Sequence, residues 1–275
     1  MPEEVRICTA ASSATAGEGC RGNVLISGSY GGDYNAYHAA RWGVRAVILN
    51  DAGVGKDRAG IRGLDYLERI GIAGATADAS SCHIGDGDHM LEHGTISYVN
   101  AVAGDLGCQP GQSVRECAMR LRQARLSTAS LPPIDGGKRY LMREQPGDPT
   151  VVCLDAAPLL TPEDTGRIAI TGSHGALFRG RPDGVIKPDV RAIFFSDAGV
   201  GMDGAGISRL ATLDERNIVA GAASADSAAI GDSRDIYQRG VLSHVNSSAA
   251  AMGGKPGLAI HRFVDMLIDR WHRSP

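Results

Sequence analysis

Val24–Gly32 reads VLISGSYGG and Arg45–Gly55 reads RAVILNDAGVG; Ile168–Ala176 reads IAITGSHGA and Arg191–Gly201 reads RAIFFSDAGVG. The chain therefore resembles itself. The offset is 146 residues at Asp51/Asp197 and at Asp86/Asp232, and 144 at Ser29/Ser173. Further matches pair Ile84-Gly85-Asp86 with Ile230-Gly231-Asp232, Ser97-x-Val99-Asn100 with Ser243-x-Val245-Asn246, and Pro110-Gly111 with Pro256-Gly257. Residues present in both copies are candidates for making the fold. Residues present in one copy are candidates for a specialised role.

Each quoted stretch holds a short, nearly all-apolar run closed by Gly, Ser or Asp, the pattern of a parallel strand covered on both faces. Working outward, Val5–Cys8, Val24–Ser27, Ala46–Leu49 and Ile72–Ala77 read as strands, repeated by Val151–Leu154, Ile168–Thr171, Ala192–Phe195 and Ile218–Ala223. The spacing predicts helices near Asn35–Trp42, Ala59–Ile70, His89–Leu106 and Val114–Leu126, then Ala205–Arg216, Ile236–Met252 and Leu258–Arg270. Strand–helix alternation implies an α/β fold with mostly parallel sheet. The expectation is two similar, pseudo-twofold-related units, residues 1–121 and 150–275. The Pro- and Gly-rich connector, 122–149, carries one β-like run at Arg139–Met142.

The 275 residues, 43% apolar and 21% charged, suit a globular protein with a large core. A net charge of −3 gives no general attraction for nucleic acid or an anionic membrane. No apolar run approaches the roughly 20 residues of a membrane span. The start, Met-Pro-Glu-Glu-Val, lacks signal-peptide character. The six cysteines include no C-x-x-C pair and read as reduced thiols in a cytoplasm. Cys8 and Cys153 lie in strand-like runs, as small buried hydrophobes do.

In a parallel sheet, ligands sit beyond the carboxyl ends of the strands. The repeated polar motifs fall there. Gly28-Ser29 and Gly172-Ser173 could turn backbone N–H groups toward an oxyanion, with Ser29 or Ser173 as nucleophile, or form tight turns whose serines cap the next helix. His174 replaces Tyr30 and is a candidate base. Asp51-Ala-Gly53-Val-Gly55 and Asp197-Ala-Gly199-Val-Gly201 could grip a polar ligand or cap their own loops. Gly199-x-Gly201-x-x-Gly204 matches a dinucleotide fingerprint, but Arg58 replaces the third glycine in the other copy, and no nucleotide cofactor is expected. Cys82, His83, His89 and His93 stand where the second copy has Ala228, Ala229, Asp235 and Arg239, so the shared fold does not require them. Cys82 with His83 reads as a nucleophile and acid/base pair. Asp86 with His89 and His93 is a subsidiary metal set. Ser97/Asn100 and Ser243/Asn246 are expected on matching helices that pack the halves together.

Together these point to an enzyme acting on a small polar, anionic or carbonyl-bearing metabolite, a hydrolase first of all, with its site between the repeats. Gly28, Asp51, Gly53, Asp86, Gly172, Asp197, Gly199 and Asp232 would hold the substrate. A cofactor-independent isomerase or racemase, or a non-catalytic ligand-binding module, are the alternatives. A homo-oligomer is compatible with the sequence. Asp51→Asn and Asp197→Asn are expected to weaken binding without unfolding, and Cys82→Ala with His83→Ala to abolish activity.

Overall fold

A computed structural model describes residues 4–182 and 186–273. The first sheet contains β1 (Ile7–Ala10), β2 (Val24–Tyr30), β3 (Ala46–Asn50), β4 (Ala73–Ala77) and β5 (Ile96–Val99), lying in that order. Neighbours among β1–β4 are parallel, and β5 runs antiparallel to β4. The second contains β6 (Arg139–Arg143), β7 (Val151–Leu154), β8 (Ile168–His174), β9 (Ala192–Ser196), β10 (Val219–Ala223) and β11 (Leu242–Val245). Its order is β11-β10-β9-β8-β7-β6, parallel through β7–β10 with antiparallel strands at both edges. The fold is thus α/β with two mostly parallel sheets.

Alternating side chains send each sheet's apolar residues to two faces. In the first sheet, Leu25, Val47 and Leu49 pack beneath α1 (Asp33–Arg41) and α2 (Gly63–Arg69). Ile26, Ile48 and Ala75 face α3 (Gly87–His93) and α5 (Val114–Leu121), together with Ala103 of α4 (Ala101–Gly104). In the second sheet, Ile170 and Phe194 meet α7 (Ser233–Arg239) and α9 (Ile260–Arg273), with Ala249 of α8 (Ser247–Ala251). Ile193 and Phe195 lie under α6 (Arg209–Asp214). Among the described residues no α-helix stands between β8 and β9, where α1 stands between β2 and β3. No helix among the described residues is long and apolar enough to cross a membrane.

The helices expected over His89–Leu106 and Ile236–Met252 are corrected to helix–strand–helix. At Gly94 the chain leaves α3, its N–H closing on Met90 O at 2.9 Å. Ile96, Tyr98 and Val99 then pair antiparallel with Ala77, Thr76 and Ala75, the ladder of a strand. Asn100 and Asn246 consequently do not pack the halves together. Asn100 Oδ1 accepts from Gly74 N and Ala103 N, and its amide donates to Ile72 O and Leu64 O. Asn246 repeats every bond with Ala220, Ala249, Ile218 and Leu210. Each asparagine caps a short helix and pins it to a strand within its own half. The connector runs along the first half, where Pro132 O accepts from the Tyr66 hydroxyl at 3.0 Å, and then enters the second sheet as β6.

The halves meet at the loops after β3 and β9. Ala52, Gly53, Val54 and Gly55 all have positive φ, between 50° and 71°, and Ala198–Gly201 repeat this between 51° and 72°. A β-branched residue there is strained, so tertiary contacts must hold Val54 and Val200 in place. A Cβ on Gly53 would lie 2.8 Å from Gly199 Cα, and one on Gly199 equally close to Gly53 Cα. Only glycine permits the loops to touch. Lys56 N donates to Ala225 O and Met202 N to Ala79 O, both at 2.8 Å. Around this contact Tyr30, Ala52, Ile84, Ala176, Ala198 and Ile230 form a small shared core.

Candidate functional site

The residues common to both copies are bound up in the architecture. Asp51 Oδ1 accepts from Gly53 N at 2.9 Å and Ala79 N at 3.0 Å. Asp197 Oδ1 accepts from Gly199 N at 3.0 Å and Ala225 N at 2.9 Å, and its Oδ2 takes Ser243 Oγ–H at 2.7 Å. Both carboxylates are buried and organise the left-handed loops. Burial raises the pKa of Asp51 against the pull of its hydrogen bonds. Asp86 and Asp232 are helix N-caps: Asp86 accepts from Asp88 N and His89 N, and Asp232 from Arg234 N and Asp235 N. A Cβ on Gly28 would overlap the backbone of Gly85–Asp86, and one on Gly172 that of Gly231. These glycines allow β2 and β8 to approach the starts of α3 and α7.

The serines do related work. Ser29 Oγ accepts from Ser13 N at 3.0 Å, and Ser173 Oγ from Ala157 N at 2.8 Å. Each ties down the short 3-10 turn that follows the preceding parallel strand. His174 is buried, its Nδ1 accepting from Ala176 N at 3.2 Å. Burial first, then the nearby Arg209 guanidinium, holds this imidazole down to about 3.

The half-specific cluster divides. Cys82 lies inside the first core, its sulfur 3.6 Å from Asn50 Nδ2 and 3.5 Å from Asp78 O. Burial pushes its thiol up to about 12. The imidazoles lie elsewhere. His83 stacks on His89 at 3.7 Å, and His89 tilts against His93 at 4.4 Å. His83 Nε2 meets Asp203 of the second half at 2.9 Å. Burial and the two flanking imidazoles lower the pKa of His89. Among the described residues, no group of three His, Cys, Asp or Glu side chains is placed to hold a metal ion, so Asp86, His89 and His93 do not assemble one. On the opposite side of the seam, Lys56 Nζ binds Asp235 at 3.0 Å.

Beside the seam, at the carboxyl ends of β2 and β7, lies a cleft of about 110 Å³. The first half contributes Tyr30, Asp33 and Arg62; the second contributes Asp155, Asp232 and Arg234. Arg62 Nε pairs with Asp33 at 3.1 Å, and the Arg234 guanidinium sits 4.2 Å over the Tyr140 ring. Asp155 is fixed by Ser233 Oγ at 2.8 Å and Lys138 N at 3.0 Å. Tyr30 is 7% exposed, and its hydroxyl makes no hydrogen bond among the described residues. Burial, then the Asp155 and Asp33 carboxylates, pushes its pKa far up, so it stays a phenol. The corresponding place beside Gly85 and Asp88 is filled. Arg179 N donates to Gly85 O at 3.0 Å, and the Arg179 guanidinium reaches Asp88 at 3.1 Å.

The sequence reading did not single out Asp33, Arg62, Asp155 or Arg234. A signal for two of them existed, since Arg62 stands opposite Ser208 and Arg234 opposite Asp88 in the self-alignment. Comparison of the chain with protein-family models, curated proteins and solved structures finds no match.

Proposed function

We propose that the chain is an internally duplicated protein whose halves are related by a pseudo-twofold axis through the Gly53–Gly199 contact, and that it binds a small polar metabolite in the one-sided cleft beside that axis. Support for the symmetry comes from the reciprocal bonds Lys56–Ala225 and Met202–Ala79, since residue i meeting j while j meets i is the mark of an isologous contact. One observation carries the binding reading: the unpartnered Tyr30 hydroxyl faces the cleft beside Asp155, and the equivalent space across the axis is closed by Leu177–Arg179. The hydroxyl is not one of the enclosed, unsatisfied polar atoms, so it is a donor open to the cleft, where a ligand acceptor can take the place of water.

The lining favours a zwitterion or hydroxyl-bearing compound over a bare anion. Asp33, Asp135, Asp155 and Asp232 outnumber Arg62 and Arg234. The arginines suit a carboxylate and the aspartates an amine or hydroxyls. Hydrolysis is the second reading, favoured by a carboxylate beside a neutral phenol, a pair able to exchange protons with a substrate. Chemistry at this cleft requires no nucleophile from Cys82, Ser29 or Ser173. A reducing compartment such as the cytoplasm agrees with six unpaired thiols.

The test is a thermal-shift screen of polar metabolites against wild type, Tyr30→Phe and Arg234→Ala, since ligands that bind the native state raise Tm. Compounds that stabilise wild type should stabilise the two variants far less. Equal shifts in all three would refute the cleft assignment. Product analysis with the same compounds separates binding from turnover. Turnover retained in Tyr30→Phe but lost in Cys82→Ala would move the chemistry to the thiol.

A further inference from the structure

Arg209 is 2% exposed and has no ion pair among the described residues. Its Nε and Nη1 are fully buried without a hydrogen-bond partner among the described residues. Nη2 is not one of these enclosed, unpartnered atoms. The guanidinium carbon lies 5.1 Å over the Phe178 ring and 5.5 Å over Phe195. Ring faces attract the cation but accept little from the in-plane N–H groups, so the stacking leaves the donors unsatisfied. Burial alone pulls this guanidinium down to about 10, and it remains charged at neutral pH.

The location explains why the site exists in one half only. Gly63 occupies the equivalent position in the first half, where a Cβ would lie 2.8 Å from Ala36 Cβ of α1. Among the described residues the second half has no α-helix at that place, and the Arg209 guanidinium lies there against Phe178 and Phe195. What remains is a cavity of about 270 Å³, lined by Ala157, Pro158, Leu160, Phe178, Ile186, Lys187 and Arg209. It shares no lining residue with the cleft at Tyr30.

We infer that this cavity is a second ligand site, taking a small organic carboxylate with an apolar tail. The carboxylate pairs with the guanidinium through Nη2, since Nε and Nη1 are enclosed, and the charge attraction is shared over the delocalised group. The hydrocarbon part lies against Pro158, Leu160, Phe178 and Ile186, with exposed Lys187 at the rim adding charge attraction. Phosphate fits less well, because beyond Arg209 and the Lys187 ammonium at the rim the side chains lining the cavity carry no further donor for its extra charge and oxygens.

Benzoate and hexanoate are the probes, read by calorimetric titration and by Tm, with benzamide and inorganic phosphate as controls. Wild type should bind one equivalent of either acid, the two competing, and neither control. Arg209→Met removes the charge at similar volume. It should weaken the acids by at least about tenfold while keeping or raising Tm without ligand, as replacing an unpaired buried charge allows. Lys187→Glu, at the surface, should weaken them severalfold without touching the fold. Unchanged affinity in Arg209→Met, phosphate binding as tight as benzoate, or no binding at millimolar acid would each overturn the assignment. Asp183 lies outside the described residues, so Asp183→Asn is the remaining control. Tighter benzoate binding in that variant would show Arg209 already neutralised and would also overturn it.

Discussion

Replacing Asp197 by alanine is the sharpest test of what the repeated aspartates do. Its carboxylate receives Gly199 N, Ala225 N and Ser243 Oγ. Ser243 Oγ has a second partner, Ala222 O at 3.2 Å, and can turn to it. The two backbone amides have no substitute. A buried donor stripped of its acceptor costs about 1–3 kcal/mol. Two of them put Asp197→Ala at roughly 2–6 kcal/mol, with about 4 the central figure. The loop they hold carries Val200 at φ 64°, so its strain loses its restraint as well. Asp197→Asn keeps an oxygen for both amides and offers Ser243 a donor, so it should cost only about 1 kcal/mol. Urea unfolding read from the midpoint at constant slope measures both. In a double-mutant cycle, Asp197→Ala with Ser243→Ala should show coupling of about 1 kcal/mol. An Asp197→Ala loss below about 1 kcal/mol, or one equal to that of Asp197→Asn, would refute the loop-organising role and revive direct ligand contact.

Other outcomes follow from single sites. His174 is held neutral when folded, whereas the unfolded chain takes up a proton below its ordinary value of 6.5. The stability from this group is therefore complete above pH 6.5 and falls by about 1.4 kcal/mol per unit as pH drops toward 3. Unfolding of His174→Gln across that window should lack this component of the slope. Native-state titration with a thiol reagent should modify Cys8 rapidly and leave Cys82 untouched, and Cys82→Ala should cost about 1 kcal/mol, because Ala228 fills the matching place. Fast modification of Cys82 would mark it as reactive after all. Gly28→Ala should destabilise by at least about 3 kcal/mol through backbone overlap at Asp86, while Gly19→Ala, with open space around it, should be near neutral in the same melt.

The parallel strands are legible because each is a short apolar run ending in a turn residue, and the repeat doubles the signal. β5 and β11 are not. Ile96, Val99 and Ala103 stand three and four apart, a spacing that fits a helical stripe as well as a strand followed by a short helix. Composition also leaves the role of Asp51 and Asp197 open, since a carboxylate that grips a ligand and one that caps its own loop occupy the same strand end. The difference lies in Ala79 N and Ala225 N, 28 residues further along the chain. Cys82 shows the limit of comparing the two copies. A residue unique to one half can be a packing variant, sulfur here against methyl at Ala228. The same comparison would have been more productive at Gly63/Arg209. There the decisive fact is that the described residues between β8 and β9 include no α-helix, and Pro182 and Pro188 in that segment are its trace in the sequence.

The crossed bonds at the seam have a kinetic consequence. The amides of Lys56 and Met202 find their acceptors only in the opposite half, so neither is freed merely by fraying of its own side. Both become exchangeable with solvent deuterium when the halves part. Two amides 146 residues apart in the chain thus keep the same time. Their protection measures the free energy of parting, separately from the stability of either sheet, and a compound that bridges Tyr30 to Asp155 must slow both clocks by one common factor.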